Sequence, residues 1–344
     1  MSSKAAVYRG DKTFTVEEKE IAAPAAGEVQ IDVAYCGICG TDLHIYLGHM
    51  DQRVGFERTI GHEMSGVISG LGDGVDRLSV GQKIVVRPLD HCGECPACVA
   101  GHEHICHKLK FIGIDSEGAF QEKWNVPAHT IHVLPDDLDL SHAALIEPLA
   151  VACHDVKRGN VSKGEDVLVI GGGPIGMLVA LVARNAGGNV TISEINENRL
   201  AYAAQLGFDT LNPVKEEAAD AMHAKTAGKG ADIVFEVSGT QPGVDLMTQA
   251  AATRGRIVMV AIHATKPQID LFQFFWRELD MLGARVYQKA DYEEAMKLLD
   301  EGVVDCGSFI TDIKQLDEIQ GAFEALTSNP NAMKSMIKVA GEPA

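Results

Sequence analysis

"EDVLVIGGGPIGMLVALVARNAG", Glu165 to Gly187, joins a short apolar run to a longer one through three consecutive glycines and a proline. The first run reads as a strand buried on both faces, and the second, from Pro174, as an apolar helix. Gly171, Gly173 and Gly176 make a G-x-G-x-x-G turn between them. In such a turn the first glycine permits the sharp bend and the second lets backbone approach a pyrophosphate. The third lets helix pack on strand, and the helix N-terminus faces the phosphates. With 35 glycines in the chain the pattern alone is weak. Its setting adds to it, because a second strand, "NVTISE", ends at Glu194, about 20 residues on. A carboxylate there accepts from a ribose 2′-hydroxyl and repels a 2′-phosphate. NAD is therefore the expected cofactor, with Arg199 in the next helix keeping NADP as the alternative.

Outward from this turn, "ADIVFEVSG", "GRIVMVAI" and "ELDMLGARVY" supply further strands with helices between them. That alternation predicts a doubly wound parallel sheet of the Rossmann kind. The residues before Glu147 read instead as short strands broken by glycine turns, "AAVYRG", "EVQIDVAYCGIC", "EMSGVISGLG" and "QKIVVRPL". From about Tyr292 come the amphipathic helix "YEEAMKLLDEG", another near "LDEIQGAFEAL", and a final strand "SMIKVA".

A chain of 344 residues, 46% of them apolar, has the size of two domains. Its 30 basic against 48 acidic residues, a net charge of -18, argue against nucleic acid and anionic membrane as partners. The longest uncharged run, Val167 to Ala183, is short of the roughly 20 residues of a membrane span. "MSSKAAVYRG" has neither an apolar export core nor an arginine-rich transit pattern, so a cytoplasmic protein with reduced thiols is expected.

Four of the eight cysteines fall in "HCGECPACVAGHEHIC". Cys92, Cys95, Cys98 and Cys106 are spaced C-x2-C-x2-C-x7-C, which lets four sulfurs converge on one ion. Four thiolates suit a closed, structural zinc site; an iron–sulfur cluster is the alternative, and His91, His102, His104 and His107 are spare donors. "YCGICGTDLH" and "TIGHEMSG" carry Cys39, His62 and Glu63, and "ALIEPLA" carries Glu147. One cysteine, one histidine and a carboxylate make a zinc site with an open position, the catalytic kind. Cys36 with Cys39 could alternatively form a redox pair, although no thioredoxin-like setting follows.

With "CGICGTDLH", "GHE", the four-cysteine lobe, "GAFQE", "IEPLAV", "GGGPIG" and "FEVSG" all in place, nearly the whole chain resembles the zinc-dependent medium-chain dehydrogenases. It looks closest to the branch holding threonine, sorbitol and butanediol dehydrogenases. The resemblance implies a β-rich, chaperonin-10-like catalytic domain over residues 1–152, a Rossmann domain over 153–289, and a return to the catalytic domain over 290–344. It implies an active site in the cleft and two zinc ions per chain. Cys39 and His62 would hold the catalytic zinc with Glu63 or Glu147, members differing over which. Thr41 and His44 match proton-relay positions. Ile175, Glu194, Arg199, Val260, Ala261 and Ile262 match cofactor contacts, and Tyr46 and Phe120 match pocket walls, with an ordinary place in the core as the alternative.

The expected reaction is oxidation of a secondary alcohol (polyol, vicinal diol or sugar acid) to a ketone with NAD, in a homodimer or homotetramer. L-Threonine 3-dehydrogenase is an alternative substrate reading, and a catalytically silent NAD-binding redox sensor an alternative of another class. Two departures from the family stand out: the aromatic stretch "FQFFWREL", and Arg285 just before Tyr287.

Overall fold

The computed structural model describes residues 2–329 and 331–340. The chain forms two compact units, one of Met1–Glu147 with Gln288–Ala344, the other of Pro148–Tyr287.

In the first unit a hairpin, Ser2–Gly10 with Thr13–Glu20, precedes a larger sheet. Along that sheet lie Ile310–Gln315, Lys334–Lys338, Glu28–Gly37, Glu63–Leu71, Lys83–Val86 and Ile131–Val133, with Lys123–Pro127 also paired to Glu28–Gly37. Glu28–Gly37 alternates Val29, Ile31 and Val33 inward, all fully buried, as a half-buried strand should. The C-terminal strand lies antiparallel to it, with Met336 opposite Gly37. This pairing returns the end of the chain to the segment carrying Cys39. A two-residue ladder, Leu89 opposite Phe111 and Asp90 opposite Lys110, closes the base of the cysteine lobe.

The second unit holds a six-stranded parallel sheet. Its spatial order is Asp209–Leu211, Asn189–Ser193, Asp166–Ile170, Ala231–Glu236, Ala251–Met259, Asp280–Gly283. In chain order that is 3-2-1-4-5-6, the Rossmann arrangement, and the order reverses beside Asp166–Ile170, where the glycine turn begins. Leu168, Val234, Met247 and Ile257 sit in its core, each 1% exposed or less. The short strand Asp209–Leu211 carries too few residues to show periodicity in the sequence. Among the described residues no helix is long and apolar enough to cross a membrane.

Candidate active site and cofactor site

Cys39 ends the turn after Glu28–Gly37 and is the N-cap of the helix Gly40–Tyr46. Asp42, at the third helical position, reaches back so that Oδ2 accepts from the Cys39 amide at 2.9 Å. This reciprocal cap fixes the start of the helix and turns the other carboxylate oxygen of Asp42 toward His62. Asp42 Oδ1 is 3.6 Å from His62 Nδ1, with both side chains buried. Burial opposes charge on His62, but Asp42 and then Cys39 outweigh it and hold its pKa well above the usual value. Facing Asp42 with Nδ1 leaves Nε2 for a metal, and a carboxylate on the far side of the ring orients a histidine ligand. Neither Asp42 Oδ1 nor His62 Nδ1 has a hydrogen-bond partner among the described residues.

Donor atoms of Cys39, His62 and Glu63 all lie within 4.8 Å of one another. That set fits a zinc ion with an open position. Glu147 is outside the set, 5% exposed in the first turn of the helix Ile146–Gly159. Its charge nevertheless reaches the neighbourhood, because it acts on Lys334, as Glu63 does. Lys334 is buried against the Glu63 carboxylate and donates to the Ile38 carbonyl at 3.1 Å. Burial works against its charge, but Glu63, Cys39 and Glu147 overcome it and raise its pKa. Gly37 makes room for this pair: a Cβ there would meet the Glu63 carboxylate and come within 2.9 Å of Lys334 Cε.

Thr41 is half-buried and His44 exposed, three residues apart and so on one face of the helix. Burial, then His49, lowers the His44 pKa, which favours the neutral, proton-accepting ring. Tyr46 and Phe120 are buried, at 4% and 0% exposure. Tyr46 stacks on Phe14 and both Tyr46 and Phe120 contact Phe323, which are the contacts of core aromatics. Cys36 is fully buried and outside the ligand set, and burial raises its pKa.

In the cysteine lobe the sulfur separations are 3.5 Å for Cys95–Cys98 and Cys92–Cys106 and 3.8 Å for Cys95–Cys106. A tetrahedral ion with arms of about 2.3 Å requires edges of about 3.8 Å, so the lobe fits one zinc. The amides of His107 and Lys108 donate to Cys95 and Cys106 at 3.4 and 3.3 Å. The amides of Cys98 and His107 bring the Cys95 pKa down to about 6, whereas burial and then the neighbouring sulfurs Cys95 and Cys106 push Cys98 up to about 12. A dication bound here would take all four as thiolates.

In the second unit Gly171 has φ of +105°, and a Cβ on Gly176 would collide with the Gly171 carbonyl, so both positions require glycine. Gly173 caps the helix Pro174–Asn185. Glu194 Oε2 accepts from the Gly172 amide at 2.7 Å, and Oε1 from the Ile195 and Asn196 amides at 2.7 and 2.9 Å. Oε2, with one of these bonds, keeps acceptor capacity for a hydroxyl. Arg199 Nη1 lies 3.8 Å from it. A cavity of about 500 Å³ opens here, lined by Gly171, Gly173, Glu194, Arg199, Val237 and Thr240 among others. Ile175, Val260, Ala261 and Ile262 do not line it. The amides of Val260 and Ala261 donate to the Glu236 carbonyl, which places that segment at the carboxyl end of the same sheet.

Arg285 is exposed. In the helix Leu271–Arg277, Phe272, Phe275 and Trp276 are 60%, 77% and 70% exposed, with Phe272 stacked on Trp276. Asp42 and Lys334 are the residues that sequence reasoning missed. An acid three residues after Cys39 was a capping signal; for Lys334, the strand pattern gave no sign of its partner.

Residues 25–136 match the family model for the alcohol dehydrogenase GroES-like domain, and residues 174–301 that for zinc-binding dehydrogenase. The chain is 53% identical over 338 residues to a 2-dehydro-3-deoxy-L-galactonate 5-dehydrogenase of Pseudoalteromonas atlantica, covering 98% of this chain and 99% of that one. It is 33% identical to a sorbitol dehydrogenase of Halalkalibacterium halodurans, covering 95% and 96%. Among solved structures, a putative zinc-binding dehydrogenase from Sinorhizobium meliloti bound to NADP matches with a TM-score of 0.91 at 29% identity, covering 98% and 99%.

Proposed function

The chain belongs to the zinc-dependent medium-chain alcohol dehydrogenase family and is an oxidoreductase; from that premise we propose that it oxidises a secondary alcohol of a sugar acid to a ketone, with NAD. The observation that carries the substrate class is the full-length, 53% identity to an enzyme named for such an acid. The donor set of Cys39, His62 and Glu63 supports the reaction class, because a protein that only binds a dinucleotide needs none of these residues.

In this reading Cys39, His62 and Glu63 hold one zinc, with Glu147 as the alternative carboxylate, and the four-cysteine lobe holds a second. Bound zinc supplies a Lewis acid that lowers the pKa of the alcohol hydroxyl. NAD supplies the hydride acceptor. Asp42 keeps His62 in one tautomer and orientation, and Lys334 balances the charge of Glu63. Thr41 passes the hydroxyl proton on, and His44, held neutral near pH 7, receives it. The glycine turn and the N-terminus of Pro174–Asn185 hold the pyrophosphate. Glu194 accepts from the ribose and disfavours a 2′-phosphate, with Arg199 set against it. Ile175 and Val260, Ala261 and Ile262 contact the cofactor farther along. The first unit is thus the catalytic domain and the second the dinucleotide domain. We also read the protein as a cytoplasmic homodimer or homotetramer; the exposed aromatic face of Leu271–Arg277 supports self-association.

The test is a matched panel with NAD: 2-dehydro-3-deoxy-L-galactonate, an aldonic acid, sorbitol, 2,3-butanediol, threonine and ethanol. A sugar acid should lead, with kcat/KM above that of ethanol by a factor on the order of 10⁴, because polar groups that recognise hydroxyls reject an analogue lacking them. Threonine leading would replace the substrate reading, and no turnover with any member would favour a redox sensor.

A further inference from the structure

The helix Gly40–Tyr46 ends in a way that pairs two histidines. Leu47 is its C-cap, and Gly48 follows with φ of +81°. The Gly48 amide donates to the Ile45 carbonyl at 2.8 Å and the His49 amide to the His44 carbonyl at 3.0 Å. These two bonds form the Schellman closure, which brings the second residue past the cap over the third from the helix end. That contact is frequently hydrophobic. Here it is His49 over His44, with Nδ1 3.2 Å from Nδ1 and ring centroids 5.5 Å apart. Two Nδ1 atoms at that distance bond only if one carries a proton and the other does not. Both side chains are exposed.

We propose that His49 is a second station for the proton that leaves through His44, and so a positioning residue for alcohol oxidation. The proposal rests on the reading that His44 receives the hydroxyl proton. His44 takes that proton at Nε2 and releases the one on Nδ1 to the free Nδ1 of His49. His49 then loses its Nε2 proton to water. Each ring ends neutral with one proton, in the opposite tautomer, and exchange with water restores the starting state. No electrons move in this step. Partial burial and then His49 lower the His44 pKa, so a His44 that has gained a proton at Nε2 readily gives up the one on Nδ1, and His49 Nδ1 stands 3.2 Å away to take it. Gly48 is part of the device, because a side chain at φ of +81° is strained and would shift His49 off His44.

The experiment measures single-turnover NADH formation in dilute buffer, using the panel alcohol with the highest rate, for the intact enzyme and for H44A, H49A, H49Q and G48A. Each is measured with and without added imidazole, and NAD affinity is titrated in parallel. H44A should lose roughly 100-fold, the low end for a direct proton acceptor, and H49A and H49Q less, about fivefold. Imidazole should restore H49A, G48A should follow H49A, and NAD affinity should stay unchanged in all the His49 variants. H49A at full rate beside a slow H44A would overturn the proposal and leave the His44 reading standing. A slow H49A that imidazole does not restore would also overturn it, by showing a structural role. Full rate in both H44A and H49A would remove the His44 reading, and this proposal with it.

Discussion

The ammonium group of Lys334 lies against the carboxylate of Glu63, with the two side chains only 4% and 1% exposed. An ion pair sealed in this way adds little net stability, but removing one member leaves the other charged and unpartnered, at a cost of about 3–5 kcal/mol. Lys334→Met should therefore destabilise the chelator-treated protein by about that amount. It should cost less in the zinc-loaded protein, because the metal then neutralises Glu63. Denaturant titrations with and without chelator measure the difference, and an equal loss in both would separate Glu63 from the metal.

Glu194 does two things at once. Its carboxylate holds the Gly172, Ile195 and Asn196 amides and keeps one acceptor position for a ribose. Glu194→Ala should raise KM for NAD, since hydrogen bonds to a charged group contribute about 1.5–3 kcal/mol. It should also leave Arg199 free to meet a 2′-phosphate, so the NAD/NADP ratio of kcat/KM should fall. A ratio that does not move would show that Arg199 already governs the choice.

What the sequence made legible was local. The G-x-G-x-x-G turn, the cysteine lobe and Cys39 announce themselves through spacings of a few residues, and the parallel sheet follows from the strand-helix alternation after Glu147, although its strand Asp209–Leu211 and its strand order do not. Asp42 was within reach of the same reading, as the third residue of a capped helix. Lys334 was not, because it meets Glu63 only through the antiparallel pairing of the C-terminal strand with Glu28–Gly37. The strand Ile310–Gln315 was hidden for a related reason: its alternation is half-exposed and polar, and its place comes from the parallel ladder to Lys334–Lys338. Tyr46 and Phe120, matched to pocket walls by resemblance, are both buried and in contact with Phe323, a neighbour that comes from far along the chain.

The four-cysteine lobe should behave as a folding element. Cys95→Ser removes one thiolate from a set whose sulfurs already stand at tetrahedral spacing. Metal analysis should show the loss of one zinc per chain with the other retained. Thermal unfolding should begin at a lower temperature, and the free lobe should become sensitive to protease near Gly93 and Gly101. Retention of full metal content would mean that a nearby histidine such as His107 completes the shell.

His132 gives a pH dependence with a definite sign. It is 7% exposed, its ring 4.9 Å from that of Tyr292, and burial, then Arg87, lowers its pKa from 6.5 to about 4. Between those values the unfolded chain binds a proton that the folded chain does not. Its contribution is thus fully present above pH 6.5 and is lost as the pH falls toward 4, at up to about 1.4 kcal/mol per pH unit. Urea titrations of the intact protein and of His132→Gln at pH 7, 6, 5 and 4.5 isolate this term from the carboxylates, which both proteins share. The intact protein should lose stability more steeply over that range, and the two curves should run closer together at pH 4.5 than at pH 7. Parallel curves would mean that His132 takes up its proton without leaving the folded state, and so that its site is wetter than its burial indicates.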